Sequence, residues 1–239
     1  MHPAFSQVDH RPWPPPDQPW TWQQVWLDLV FIHFEADPAE LRRLIPRGLE
    51  LELHEGKAWI GIVPFRMQGV TKRGWPAPAF TGDFPEINVR TYVTDGKKPG
   101  VWFLSLDAGN RLAVVMARWF FHLPYYYARM SATEDARGYH YASRRVGHEF
   151  VADYRPGAGA ESRPGSFAHW ATARYCLYTQ ARDGVLLRGE IQHPAWPLQQ
   201  AEVVIKKNTL ADVKLGAMHP AILFSKRVDV VVWPLTRLT

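Results

Sequence analysis

Apolar positions along this chain recur mostly every second residue, in short runs broken by Gly, Pro and Asp. That period is the mark of strands. Trp22–Glu35 reads as one long apolar strand. Asp37-Pro38-Ala39-Glu40 is a helix start, with Asp at the N-cap, Pro at the first helical position and Glu at the third. The helix takes in Leu41, Leu44 and Ile45 and stops at Pro46. Leu49–Leu53 and Ala58–Met67 read as a hairpin about the turn His54-Glu55-Gly56-Lys57. Gln68–Asp83, rich in Gly and Pro, reads as an irregular loop. Glu86–Thr94 and Val101–Asp107 make a second hairpin around Asp95–Gly100.

Further along, Leu112, Val115, Met116 and Trp119 follow the helical spacing, so Arg111–Phe121 is expected to be a helix ended by Pro124. Gly138–Val146 and Glu149–Tyr154 read as strands, and Arg155–Ser166 as a flexible excursion. Phe167–Gln180 and Val185–His193 read as strands joined at Asp183-Gly184, and Ala221–Trp233 supplies one or two more. About ten strands with two or three short helices is no βαβ pattern. The expected fold is α+β and β-rich: a large curved antiparallel sheet closing into a barrel- or cone-like sandwich, because a sheet of that size must curl. Residues 1–20 stand apart. Pro3, Pro12, Pro14, Pro15, Pro16 and Pro19 make them an extended arm that wraps the domain or a neighbouring subunit, or a loose tail. Residues 21–239 are read as a single domain.

Composition narrows the function classes. The 239 residues are 46% hydrophobic and 21% charged, with 28 basic against 23 acidic side chains, so the chain folds around a real core. The basic residues are scattered and form no stripe interleaved with aromatics, which argues against nucleic acid. Cys176 is the sole cysteine, so no internal disulfide is available. Nothing at the start resembles a secretory signal, and no apolar run approaches the roughly 20 residues of a membrane helix. The expected setting is cytoplasmic, away from membranes. The ten His show no ligand spacing, and dinucleotide, Walker, serine-elbow and zinc-helix motifs are absent, so neither metal nor cofactor is expected.

Strand alternation places the polar residues. One face of Glu86–Thr94 carries Glu86, Asn88, Arg90, Tyr92 and Thr94. A wet outer face accounts for this, and so does a lumen in which Glu86 and Arg90 act as acid and base. In Phe167–Gln180, Arg174 lies on one face with Trp170, Thr172, Cys176 and Tyr178, and a buried Arg there needs an anionic partner. His193 is fixed at a strand end by Pro194, ahead of Trp196 and Pro197. Tyr125, Tyr126 and Tyr127 offer three phenols in a row, as core packing or as a hydrogen-bonding pocket wall.

These segments form an ordered series: Phe84-Pro85-Glu86-Ile87-Asn88-Val89-Arg90-Thr91-Tyr92-Val93, Pro99-Gly100-Val101-Trp102-Phe103, Leu123-Pro124-Tyr125-Tyr126, Arg174-Tyr175, His193-Pro194-Ala195-Trp196-Pro197-Leu198 and Val228-Asp229-Val230. The series resembles the YqjF-like family of uncharacterised bacterial proteins over most of residues 22–234, with the proline arm outside the match. That family is similar in fold to acetoacetate decarboxylase, which implies a β-rich cone with a central pocket. The decarboxylases carry a Pro-Lys-Lys segment whose lysine forms a Schiff base; the similar stretch here is Pro124-Tyr125-Tyr126, and a phenol forms no imine. Glu86 resembles their pocket glutamate. The resemblance therefore implies a pocket for a small anionic or carbonyl ligand without Schiff-base decarboxylation. On one reading the protein binds that ligand through Arg90, Arg118, Arg174, Tyr125, Tyr126, Tyr178 and Trp196. On another it is an acid–base enzyme using Glu86 and His193. On a third it is an assembly module that forms homo-oligomers through the arm.

Overall fold

The computed structural model describes residues 1–76 and 82–238. The strands are β1 (Trp22–Ala36), β2 (Glu50–Leu51), β3 (Ala58–Lys72), β4 (Phe84–Thr94), β5 (Pro99–Ala108), β6 (Tyr125–Tyr127), β7 (Arg129–Asp135), β8 (Gly138–Arg145), β9 (His148–Gly159), β10 (Cys176–Gln180), β11 (Leu186–Gln192), β12 (Leu198–Asn208), β13 (Leu215–Met218), β14 (Leu223–Val232) and β15 (Thr236–Arg237). The helices are α1 (Pro38–Arg43), α2 (Arg111–Phe121) and α3 (Phe167–Thr172).

All fifteen strands belong to one sheet. Its path runs β1-β3-β4-β5-β10-β11-β14, and β14 pairs back onto β1, so these seven strands form a closed ring. The limb β12-β9-β8-β7 leaves the ring at β14 and folds over its outside. There Tyr139, Tyr141, Phe150, Ala152 and Tyr154 of the limb share a core with Val30, Ile32, Ile60, Ile62, Ile87 and Val89 of the ring. Leu29, Phe31, Val63, Phe65 and Leu106 belong to a second core, on the inner side. The ring is not sewn evenly. The parallel pair β5–β10 registers only Val101↔Leu177 and Trp102↔Tyr178, and β11–β14 registers only Ile191↔Val232 and Gln192↔Val231.

β1 carries a bulge that decides what the interior is made of. Leu27 stands opposite Arg66 of β3 and Ile32 opposite Ile62, so β1 advances five residues while β3 advances four. The extra residue reverses the alternation. Gln24 and Trp26 face inward before it, and Leu29 and Phe31 after it. Asp28 sits in the bulge at φ 53°, a left-handed conformation disfavoured for a residue with a Cβ. Its buried carboxylate is gripped by Arg66 Nε and Nη2 at 2.9 and 2.7 Å and by Lys226 Nζ at 2.7 Å. Tyr154 donates to its carbonyl at 2.9 Å.

Several sequence expectations need correcting. Phe167–Gln180 is not one strand: Phe167–Thr172 forms α3, capped by Ser166 Oγ on His169 N–H, and only Cys176–Gln180 is β. Ala168 and Ala171 favour that helix, and every second residue was a misleading period for a segment buried on several sides. Glu50–Leu51 pairs with β4 rather than with β3, so the first expected hairpin does not form. Gln68–Lys72 continues β3; of the expected loop, 77–81 lie outside the described residues. The excursion at Arg155–Ser166 is strand as far as Gly159, paired with β12. α2 forms as expected, but Leu112, Val115 and Trp119 of its apolar stripe are exposed and Val114 is the residue it buries.

The arm is seated on the ring. Ala4 is fully buried with Val231 and Trp233. Gln192 Nε2 donates to the carbonyls of Ala4 and Gln7 at 2.8 and 3.0 Å. Arg11 donates to Gln192 Oε1 at 2.9 Å, to Glu190 Oε2 at 3.1 Å and to the carbonyl of Ile191 at 2.5 Å. Among the described residues no helix is long and apolar enough to cross a membrane.

The bulge yields a test. Asp28→Ala removes the acceptor of two Arg66 hydrogen bonds and the partner of the Lys226 ion pair while keeping the strained φ, and is expected to lower stability by about 1.5–3 kcal/mol in urea unfolding. Asp28→Asn, which tolerates that φ and keeps an oxygen acceptor, should lose less.

Candidate functional site

The ring encloses a cavity of about 110 Å³. Its wall is built by period-two alternation on β3 and β4, and on β1 and β5 by the same alternation with its phase shifted at an irregularity. β4 contributes Glu86, Asn88 and Arg90; β3 contributes Val63, Phe65 and Met67; β5 contributes Val101, Phe103 and Leu106. Gln24, Trp26 and Leu29 come from β1, Tyr125 from β6, and Thr172, Arg174, His193 and Trp196 from the segments flanking β10 and β11.

Of the nine residues singled out from sequence, six meet here: Glu86, Arg90, Tyr125, Arg174, His193 and Trp196. Three do not line this cavity. Tyr126 follows Tyr125 on a strand and so points to the other side, where it is exposed and stacks with the guanidiniums of Arg118 and Arg145. Arg118 is thus on the outer surface of α2. Tyr178 is fully buried behind the wall, donating to the carbonyl of Lys98 at 2.6 Å.

The ionisable groups fall into two kinds. Arg174 is neutralised by Glu52 and further tied to the Trp170 carbonyl at 2.6 Å, so its required anion is a residue outside the expected set. Burial pushes the Glu52 carboxyl up, and Arg174 opposes this. Arg90 is different. Its Nη2 reaches only the Ala171 carbonyl at 3.3 Å and the Tyr92 hydroxyl at 3.4 Å. Its guanidinium lies over Phe31 and Tyr92, and among the described residues no carboxylate is within ion-pair distance of it.

Glu86 is 3% exposed and accepts one hydrogen bond, from the Tyr125 hydroxyl at 3.0 Å. Burial without a cation pushes its carboxyl up to about 8, and the Tyr125 bond pulls the other way by less. Tyr125 is held well above the usual phenol range, by burial first and then by Glu86. At neutral pH both are uncharged. His193 is fully buried and lowered to about 4 by burial. Its Nδ1 faces the Pro194 carbonyl at 2.7 Å, an acceptor only, so Nδ1 carries the proton and Nε2 is a bare acceptor. Burial also pushes Cys176 up to about 12, which keeps it a thiol.

Four buried polar atoms on lining residues have no protein partner: Trp26 Nε1, Asn88 Oδ1, Arg90 Nε and His193 Nε2. Buried polar atoms are ordinarily satisfied, so these four are open hydrogen-bonding positions in the cavity wall. Alternation along β4 puts Asn88 between Glu86 and Arg90, a signal visible in the sequence. Trp26 and Gln24 were hidden by the bulge. His10 of the arm stands behind the site, its Nε2 donating to the His193 carbonyl at 3.0 Å. No lysine is among the described lining residues, and no group of three or more His, Cys, Asp or Glu is placed among the described residues to hold a metal ion.

Comparison with known proteins places this geometry. Residues 23–229 match DUF2071, a family described as an uncharacterized conserved protein. The chain is 41% identical over 229 residues to the uncharacterized protein YqjF of Bacillus subtilis (strain 168), covering 93% of this chain and 94% of that protein. In structure it is similar to acetoacetate decarboxylase from Legionella pneumophila (TM-score 0.68, 14% identity, 99% of this chain and 94% of that one). It is also similar to the enduracididine biosynthesis enzyme MppR complexed with pyruvate (TM-score 0.65, 13% identity, 95% and 92%). An acetoacetate decarboxylase-like enzyme from Sphingomonas wittichii RW1 superposes with a TM-score of 0.64 at 14% identity, over 95% and 98% of the two chains. At such identities the likeness is one of fold. The ring-shaped sheet is thus the acetoacetate-decarboxylase-like fold, and the chain carrying it belongs to the DUF2071 family, alongside YqjF.

Proposed function

We propose that this protein binds a small organic anion inside the ring, gripping its carboxylate with Arg90. The observation that carries this reading is a guanidinium lining a cavity with, among the described residues, no carboxylate within ion-pair distance of it. Arg90 is half-buried with its Nε fully enclosed; a cation partly withdrawn from water without a counter-ion is unfavourable, and an anionic guest relieves it. The neighbourhood favours an anion because its acids are silent: Glu86 is protonated at neutral pH and Glu52 is spent on Arg174. Asn88 and the Tyr125–Glu86 pair offer neutral polar contacts, and Trp196, stacked on Trp26, bounds the apolar part. A structural neighbour complexed with pyruvate, a small 2-oxo carboxylate, supports the same class of guest. The absence of lysine from the described lining argues against imine formation, and this reading does not use it.

The state of Glu86 favours a second reading, an acid–base enzyme. A neutral carboxyl is a proton donor at pH 7, and His193 Nε2 in the same cavity is a proton acceptor. Turnover lost in Glu86→Gln while carboxylate binding survives would select this reading.

The primary reading is tested by calorimetric titration and thermal shift with small carboxylates, pyruvate among them. Arg90→Gln is expected to weaken binding by roughly tenfold or more, the worth of a charge-assisted hydrogen bond. If no carboxylate raises the melting temperature of the native protein, or if Arg90→Gln binds as well, the reading fails.

Binding should also weaken as the pH passes about 8, because ionised Glu86 adds a negative charge to the cavity that holds the guest. Glu86→Gln should remove that dependence. The same group governs stability. Its carboxyl is raised from 4.5 to about 8 in the folded chain, so across that window the folded state holds a proton that the unfolded state releases. Stability from this group is full below 4.5 and is lost as the pH rises toward 8. Urea unfolding should therefore show Glu86→Gln gaining on the native protein across this window, by on the order of a few kcal/mol.

A further inference from the structure

A neighbouring space shares Glu86 with the cavity. This second space, of about 70 Å³, lies beneath α2, and Gln24, Met67, Glu86, Phe121 and Tyr125 line both. Apart from Gln24, Glu86 and Tyr125, every described residue lining this annex is apolar, among them Trp22, Val70, Phe84, Met116 and Phe120. Glu86 and Arg90 are four residues apart on one extended strand, so their backbones stand ~13 Å from each other. Arg90 turns its Nη2 toward Tyr92 and Ala171, on the side away from Glu86. A two- or three-carbon acid seated on Arg90 therefore leaves the Glu86–Tyr125 end and the annex untouched.

The geometry points to a ligand that fills both spaces: an amphipathic monocarboxylate whose head pairs with Arg90 and whose alkyl or aryl tail runs past Asn88 and Glu86 into the annex beneath α2. This inference rests on the reading of Arg90 as the anion holder and adds the chemistry of the remainder of the guest. Where the two spaces meet, Glu86 and Tyr125 are paired with each other, the Tyr125 hydroxyl on Glu86 at 3.0 Å, and Met67 and Phe121 supply the apolar contact. A second anionic group at the tail end would have no cation to meet, since no Lys or Arg lines the annex among the described residues. Dicarboxylates are accordingly excluded by the same geometry.

Calorimetric titration of the full chain with butanoate, hexanoate, octanoate and decanoate tests this. Each added methylene buried in the annex should raise affinity about three- to fourfold until the space is filled. Ala117→Trp, which puts an indole into the annex from α2, should flatten the series while leaving butanoate binding in place. Met116→Trp serves as a second plug, and circular dichroism with thermal melting confirms that each variant is folded. Suberate, a dicarboxylate, should bind much more weakly than octanoate. A series flat in the native protein, with butanoate still held in an Arg90-dependent way, would overturn the annex and leave the anion site standing. Octanol binding as tightly as octanoate, or no carboxylate binding at all, would overturn the anion site and this inference with it.

Discussion

The interior of this protein depends on one buried carboxylate held in an unfavourable backbone conformation. Asp28 occupies the left-handed region within a long apolar strand, and Arg66 and Lys226 fix it there from the two neighbouring strands. Without the extra residue, β1 would keep a single alternation, and either the Gln24–Trp26 pair or the Leu29–Phe31 pair would face away from the ring's centre. With it, one strand lines the cavity at its polar end and packs the aliphatic core at the other. The same carbonyl accepts the Tyr154 hydroxyl, so the outer limb is registered on the ring at the point where the ring changes face.

Electrostatically the cavity works by subtraction. It holds acids and bases in number, yet nearly all are silenced: Arg174 by Glu52, Glu86 by its own burial, His193 by exclusion of water. Arg90 is what remains. A charge that dominates a small, low-dielectric space exerts a field far stronger than the same charge among counterions. On the proposed function, selectivity for an anion needs no dedicated donor array, only the discharge of everything else nearby.

Much of this was legible in the residues. Alternation along Phe84–Thr94 placed Glu86, Asn88 and Arg90 on one face, and the cavity uses that face. The helix start at Asp37-Pro38 and the turn at Asp183-Gly184 were written in local chemistry, and both formed. What escaped was set by long-range packing. The bulge at Asp28 has no sequence mark, since Asp serves strand edges, turns and caps alike. The period of Phe167–Gln180 was uninformative because α3 is half-enclosed, leaving no wet face to betray it. β7 and β12 were missed because Met130 and Ala132, or Val203 and Ile205, bury only one thin face among charged residues. Tyr126 followed from adjacency to Tyr125, and adjacency on a strand puts neighbours on opposite sides; Tyr178 followed from an alternation shared with Arg174, which does not hold because the strand begins only at Cys176.

The uneven stitching of the ring gives the arm a meaning. β10 and β11 form a hairpin that carries Cys176 and Leu177 and leads into His193, yet the ladder joins it to the rest of the wall by two registered pairs on either flank. It hangs like a door leaf between two narrow hinges. The contacts of Arg11 and Trp13 fall on Glu190, Ile191 and Gln192 of that leaf. The proline segment is therefore a bolt drawn across the least firmly mounted panel of the chamber, and the firmness of that wall becomes a property of residues that do not line the cavity.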